Sequence, residues 1–265
     1  MAPRGYAWWY VDALSDDGRY ALTLIAMLGS VFSPFYAKAR RGGLAVDPLD
    51  HCALNVALYT PRGKRWSLDE RGRHEVHRDA SSLTLGASSL SWEGDTLVIR
   101  VEERTTPFLT ARPFGDAPLR GTVRVHPRVR VDEPYALDGR GAHLWWSSSP
   151  LCRVEVTFDE PALRWSGDGY HDANAGDTPL EEAFLSWNWS RATTPAGSVI
   201  LYDPTTRDGA KLPHGRLVTT RGRVEPLDAP RIHRTGPMPT GLEVAADDEA
   251  IGTAVKLSQV FQRHT

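Results

Sequence analysis

The strongest constraint on this chain is a two-residue rhythm of apolar side chains that recurs along its length, while sustained helical periodicity is scarce. Leu90 and Trp92 precede a Glu93-Gly94-Asp95 turn. Leu97, Ile99 and Val101 then alternate with Val98, Arg100 and Glu102, which predicts a β-hairpin. Val123, Val125, Val129 and Val131 alternate with arginines around His126-Pro127, where the missing proline N–H predicts an edge, a bulge or a turn. Val154, Val156 and Phe158 mark another strand, and Ala183, Leu185, Trp187 and Trp189 share one face of the next. Residues 199–202, 217–220 and 255–262 read as later strands. Turns are signalled at Asp16-Asp17-Gly18, Pro61-Arg62-Gly63, Ser166-Gly167-Asp168-Gly169 and Arg207-Asp208-Gly209. The most apolar stretch, 21–39, is broken by Gly29, Ser30, Ser33 and Pro34. It reads as a buried strand followed by a loop, too interrupted to span a bilayer. The Pro-rich stretch 226–239 reads as an irregular crossing.

Many short strands between Gly and Pro turns imply an all-β sandwich or barrel. A chain of 265 residues has room for two such units. The polar, turn-rich segment 132–141 is the expected junction, dividing the chain into 1–136 and 137–265.

Composition and motifs remove several classes of function. A formal net charge of −2 offers no basic excess for nucleic acid. Cys52 and Cys152 read as two free thiols. The N-terminus lacks the apolar core of a signal peptide, so a cytoplasmic protein, at most peripheral to a membrane, is expected. His74 and His77 have no third ligand nearby in sequence, and no metal site is expected. Phosphate loops, dinucleotide fingerprints and the G-x-S-x-G elbow are absent from the sequence.

Nine tryptophans stand out, grouped as Trp8/Trp9, Trp145/Trp146 and Trp187/Trp189. They suit either core filling or a wall around an extended apolar ligand. Three spacings carry chemistry: His143/Trp145, Tyr170/Asp172 and Trp187/Trp189. Residues two apart on a strand point to one face. If those faces meet, a carboxyl and an imidazole stand among aromatic rings. A carboxylic acid in apolar surroundings tends to keep its proton and can act as a general acid near neutral pH. It could protonate an alkene to a tertiary carbocation that ring faces stabilise. On spacing alone the plain readings stand beside this one. Asp172 would be an Asx-turn residue, His143 a satisfied core histidine, Trp187 and Trp189 core, and Asp12 a strand-end carboxylate.

The segments GYAWWYVDALSDDGRYALTLIAMLGSVFSPFYA, GAHLWWSSSP, RWSGDGYHDANAGDTPLEEAFLSWNWSRA and SVILYDPTTRDG resemble the carotenoid 1,2-hydratases, also called hydroxyneurosporene synthases, of purple photosynthetic bacteria. The resemblance covers most of the chain. It implies two lipocalin-like β domains with the active site in an apolar cavity or tunnel. It also implies addition of water, without a cofactor, across the terminal 1,2 double bond of acyclic carotenoids such as neurosporene and lycopene. The family's catalytic aspartate falls on Asp172, and its supporting residues on His143, Trp145 and Tyr170. Trp146, Trp187 and Trp189 are expected to bind substrate. A bilayer-soluble substrate implies peripheral contact with the inner or intracytoplasmic membrane. Two other classes fit the same scaffold: a non-catalytic carrier of a polyene lipid, and a related isoprenoid cyclase or pericyclase.

Overall fold

The computed structural model describes residues 1–42, 46–106, 116–228, 233–235 and 244–246. Contacts divide the chain into two compact units, Met1–Ala183 and Phe184–Thr265.

The first unit is built on β1 (Tyr6–Ser15), β2 (Ala21–Leu28), β3 (Cys52–Thr60), β4 (Gly63–Arg71), β5 (Val76–Arg78), β6 (Ser82–Leu85), β7 (Ser88–Glu93), β8 (Thr96–Arg104), β9 (Pro118–Val129), β10 (Tyr135–Ala136), β11 (His143–Glu160) and β12 (Ala162–Gly176). They form one twelve-stranded sheet in the order β4-β3-β2-β1-β12-β11-β9-β8-β7-β6-β5, with β10 paired to β11. All pairings are antiparallel.

The sheet curls into a barrel around one apolar face. Val11 and Ala13 of β1, Leu22, Leu24 and Leu28 of β2, Leu54 and Val56 of β3, Leu85 of β6, Ile99 of β8 and Val154 of β11 belong to one buried cluster. Curling brings strands distant in the sheet order together. Arg71 at the end of β4 donates to both carboxylate oxygens of Glu103 on β8, at 2.8 and 2.6 Å. Ser88 Oγ adds a third bond at 2.6 Å. The Glu103 carboxylate is buried, and burial pushes its pKa up despite these partners.

The hairpin predicted at 88–104 is present as β7 and β8. Pro127 sits in an inner strand rather than at an edge. The pairing between β9 and β11 shifts register between Leu151 and Cys152, which face Val129 and Pro127, so the proline is accommodated by a bulge. Both cysteines are free and buried.

Three expectations are corrected. The turn expected at Ser166-Gly167-Asp168-Gly169 is strand interior within β12. Its glycines are there because β1 runs so close. A Cβ on Gly167 would sit 1.8 Å from the Leu14 carbonyl oxygen, and one on Gly169 2.6 Å from that of Asp12. The loop expected after β2 contains helix α1 (Pro34–Arg41), started by Ser33, whose side chain accepts from Tyr36 N, with Pro34 in the first turn. The segment 132–141 joins strands of a single sheet: β10 and β11 pair there, and β11 and β12 lie at its centre, so the division of the chain falls after Ala183.

After helix α2 (Leu180–Ala183), the second unit holds β13 (Phe184–Thr194), β14 (Gly197–Thr206), β15 (His214–Thr219) and β16 (Val224–Leu227) in a four-stranded antiparallel sheet. A separate pair, β17 (His233–Thr235) and β18 (Val244–Ala246), follows. β16 and β17 occupy part of the stretch read as an irregular crossing, because Pro226 sits opposite Arg216 on a strand with one paired side. The strand expected at 255–262 lies outside the described residues.

Candidate active site

The barrel interior is filled by apolar side chains. The opposite face of β1, β11 and β12 carries the polar and aromatic groups. Register fixes who shares that face. Tyr10 stands opposite Asp172, Asp12 opposite Tyr170 and Trp8 opposite Asn174 on β12. Trp145 is opposite Asn174, and His143 opposite Gly176. Residues directly opposite on antiparallel strands point the same way. One face therefore gathers Tyr6, Trp8, Tyr10, Asp12, His143, Trp145, Tyr170, Asp172 and Asn174.

Asp172 is 3% exposed and lies at the centre of this group. Trp145 Nε1–H donates to its Oδ2 at 2.9 Å, and the Tyr170 hydroxyl donates to the same oxygen at 2.8 Å. Trp145 and Tyr170 are themselves fully buried. Of the four residues expected to act together, Asp172, Trp145 and Tyr170 are brought into contact, and the geometry makes Trp145 a hydrogen-bond donor to the carboxyl.

Local sequence explains how the trio forms. Two register shifts interrupt the pairing of β11 with β12, one between Trp146 and Ser149 and one between Ser149 and Cys152. Each places an extra β11 residue alongside the Tyr170–Asp172 segment. The Ser147-Ser148-Ser149-Pro150 run supplies them, and a proline within a strand requires such an irregularity.

His143 occupies the same face, further along. Gly176 is four residues from Asp172 on β12, about 13 Å by strand rise. His143 Nδ1 pairs with the Tyr6 hydroxyl at 2.9 Å and Nε2 with Thr178 Oγ1 at 3.1 Å. Burial holds its pKa below the usual histidine range, with Asp138 and Asp177 opposing the shift. Tyr6 also stacks on Trp8, ring centroids 5.0 Å apart. Gly176 makes room for this pair, since a Cβ there would lie 2.4 Å from the Tyr6 ring and 2.7 Å from His143 Nδ1. Before the strand, the Asp138 carboxylate accepts from the backbone N–H groups of Arg140, Gly141 and Ala142, a turn that sets the start of β11 and so delivers His143.

Trp146, Trp187 and Trp189 are not among the residues that this face of β1, β11 and β12 carries. Trp146 follows Trp145 and points to the other side of β11, where its indole N–H donates to the Val131 carbonyl at 2.6 Å and the side chain stays partly exposed. Trp187 and Trp189 belong to β13 of the second unit, opposite Pro204 and Tyr202, half-buried.

Tyr6, Trp8, Tyr10 and Asn174 were not selected from the sequence. The alternation Tyr6, Trp8, Tyr10, Asp12 carries the same two-residue signal as the three pairs that were, and Asn174 extends Tyr170/Asp172 by one more step. Next to this row lies a buried patch of Ile25, Met27 and Ala53, against which Trp8, Tyr10, Val31 and Phe32 pack. It gives the face a dry flank.

His171 sits behind the site on the inner face. Its Nδ1–H donates to the Tyr10 carbonyl at 2.9 Å, and its ring lies 6.3 Å from that of Trp92. Burial pushes its pKa down to about 4. The unfolded chain takes up that proton near pH 6.5, so stability is full above pH 6.5 and falls as pH drops toward 4. The expected contribution is about 2 kcal/mol lost at pH 5. Urea denaturation of the wild type and His171→Gln at pH 7 and 5 measures it: the variant should show a smaller loss, and equal losses would assign the slope to other groups. The remaining histidines cancel in that difference.

Among the described residues, no group of three or more metal-ligating side chains is assembled.

Two solved structures share the all-β architecture. One is kievitone hydratase from Nectria haematococca, TM-score 0.52 and 9% identity, covering 92% of this chain and 72% of that one. The other is CghA with Sch210972, TM-score 0.52 and 12% identity, covering 84% and 60%. At such identities the likeness is one of fold. Sequence carries the assignment further. The family model for carotenoid hydratase CrtC matches residues 24–245, and the chain belongs to that family. It is 48% identical over 239 residues to the acyclic carotenoid 1,2-hydratase of Thiocapsa roseopersicina, and 42% over 247 residues to that of Rubrivivax gelatinosus. These alignments cover 89% and 91% of this chain but 57% and 58% of the relatives. The chain therefore spans under two thirds of their length.

Proposed function

We propose that this chain carries the catalytic apparatus of an acyclic carotenoid 1,2-hydratase, acting on neurosporene or lycopene to give 1-hydroxy products. The observation that carries the reading is the buried Asp172 carboxyl with two donors, from Trp145 and Tyr170, on a single oxygen. In a neutral carboxylic acid that oxygen is the carbonyl, and the proton belongs on Oδ1. An acid so held is aimed by its partners and kept from bulk water.

The reaction follows from that acid. Asp172 donates its proton to C2 of the terminal double bond, forming a C–H bond and leaving a tertiary cation at C1. The neighbouring rings and the dry flank around Ile25 and Met27 keep the cation from premature capture. One water then attacks C1. Acid and water complete the addition, so the mechanism calls for no cofactor. His143, held neutral by burial and fixed by Tyr6 and Thr178, orders the aromatic end of the face.

No helix among the described residues is long and apolar enough to cross a membrane. Peripheral contact with the bilayer that holds the substrate is supported by α1, whose buried side is Tyr36 and Arg40. Its outer side presents Phe35, 69% exposed, with Lys38 and Arg41.

One assay tests the whole reading. Purified protein is mixed with anionic vesicles containing lycopene, in oxygen-18 water. The hydratase reading predicts that protein co-sediments with the vesicles and that the product gains one labelled water per converted end. Binding without product would establish a carrier. An unlabelled isomer of lycopene would establish a cyclase.

A further inference from the structure

We propose that Asp12 is a second catalytic carboxyl, the base that takes the proton released when water captures the cation. The inference rests on the hydratase reading above and extends it to the second half of the reaction.

Two tyrosine–aspartate pairs face each other across neighbouring strands. On β12 the Tyr170 hydroxyl donates to Asp172, two residues on, at 2.8 Å. On β1 the Tyr10 hydroxyl donates to Asp12, also two residues on, at 3.0 Å. Register places Tyr10 opposite Asp172 and Asp12 opposite Tyr170, so the four side chains form a crossed square. The two tyrosine rings meet edge to face with centroids 6.2 Å apart. Asp12 and Asp172 occupy the diagonal, their α-carbons roughly 7–8 Å apart as sheet geometry sets it. Enzymes that use one carboxyl as acid and another as base place both on the same site with room for a water, and a shared sheet face provides that arrangement.

Their surroundings differ in the sense the roles require. Asp172 is almost fully buried, whereas Asp12 is half-buried, opposite Thr23 of β2.

The step balances. Once Asp172 has given its proton to C2, the water oxygen bonds to C1 and becomes an oxonium. Asp12 carboxylate takes one oxonium proton, leaving the neutral 1-hydroxy product and Asp12 in its acid form. Loss of that proton from Asp12 and gain of one by Asp172 restore the starting state, with one water consumed.

The proposal separates protonation from hydration, and deuterium oxide reads them apart. Wild-type protein incubated with lycopene in deuterium oxide should yield the alcohol carrying deuterium at C2. With Asp12→Asn, Asp172 still protonates the alkene at C2, and its carboxylate takes a C2 proton back from the cation to restore the double bond. Recovered lycopene should gain deuterium while alcohol formation falls about 10²-fold. Asp12→Glu, which restores a carboxyl, should recover much of the alcohol. Asp172→Asn should give neither exchange nor alcohol. Wild-type alcohol formation by Asp12→Asn would overturn the proposal, as would loss of exchange and alcohol together in that variant with Asp12→Glu equally inactive. Hydration surviving in Asp172→Asn would instead refute the assignment of the acid and leave the Asp12 result to be read by itself.

Discussion

Asp172→Asn should reduce conversion of neurosporene or lycopene by about 10²–10⁴-fold, the range a positioned general acid contributes. The substitution is nearly isosteric. The amide oxygen can still accept from Trp145 Nε1 and the Tyr170 hydroxyl, so the strands that hold them should keep their places. What disappears is the transferable proton. On the proposed mechanism the loss should fall on kcat, because there the carboxyl acts in the transition state and contributes little to holding a long polyene. Unchanged circular dichroism and an unchanged denaturation midpoint would confirm that the fold is intact. Full residual turnover would remove Asp172 from the mechanism.

Arg71→Leu should destabilise the first unit by about 3–5 kcal/mol at pH 7, the cost of leaving one partner of a buried ion pair behind. Arg71 and Glu103 bridge β4 and β8, strands far apart in the sheet order, so the pair marks where the sheet curls back upon itself. Gly86 is part of the same device. It has a positive φ of 62°, and a Cβ there would lie 2.6 Å from Arg71 Nε. The double variant Arg71→Leu/Glu103→Leu should recover most of the loss, because two apolar side chains replace a charge pair without stranding either. Urea denaturation of both variants decides the matter. A single-variant loss below about 1 kcal/mol would place the pair among weak surface bridges.

The fold was legible in the sequence wherever side chains alternate between a packed face and another. The β7–β8 hairpin and the strands around Val154 and Val199 follow that rule. It failed where glycine serves packing instead of turning. Gly167 and Gly169 look like punctuation, yet they stand inside β12 because the β1 backbone lies against them. Alternation also says nothing about which strands pair, and β11 and β12 return to join the first sheet beside β1. For the site, the Tyr170/Asp172 and His143/Trp145 spacings marked residues that share a face. Their partners Tyr6, Tyr10 and Asp12 lie more than 130 positions away and become neighbours only through the pairing of β1 with β12. The link between His143 and Tyr6 was invisible for the same reason. Trp146 shows the converse limit: adjacency in a tryptophan pair puts the second ring on the opposite side of the strand.

The account depends on Asp172 resting as a neutral acid, and infrared difference spectroscopy measures that state directly. The spectrum of wild-type protein minus that of Asp172→Asn, recorded near pH 7, should contain the carbonyl stretch of a protonated carboxyl that shifts in deuterium oxide. A difference showing only carboxylate stretches would mean that Asp172 rests as the anion, and it could not then be the proton donor proposed.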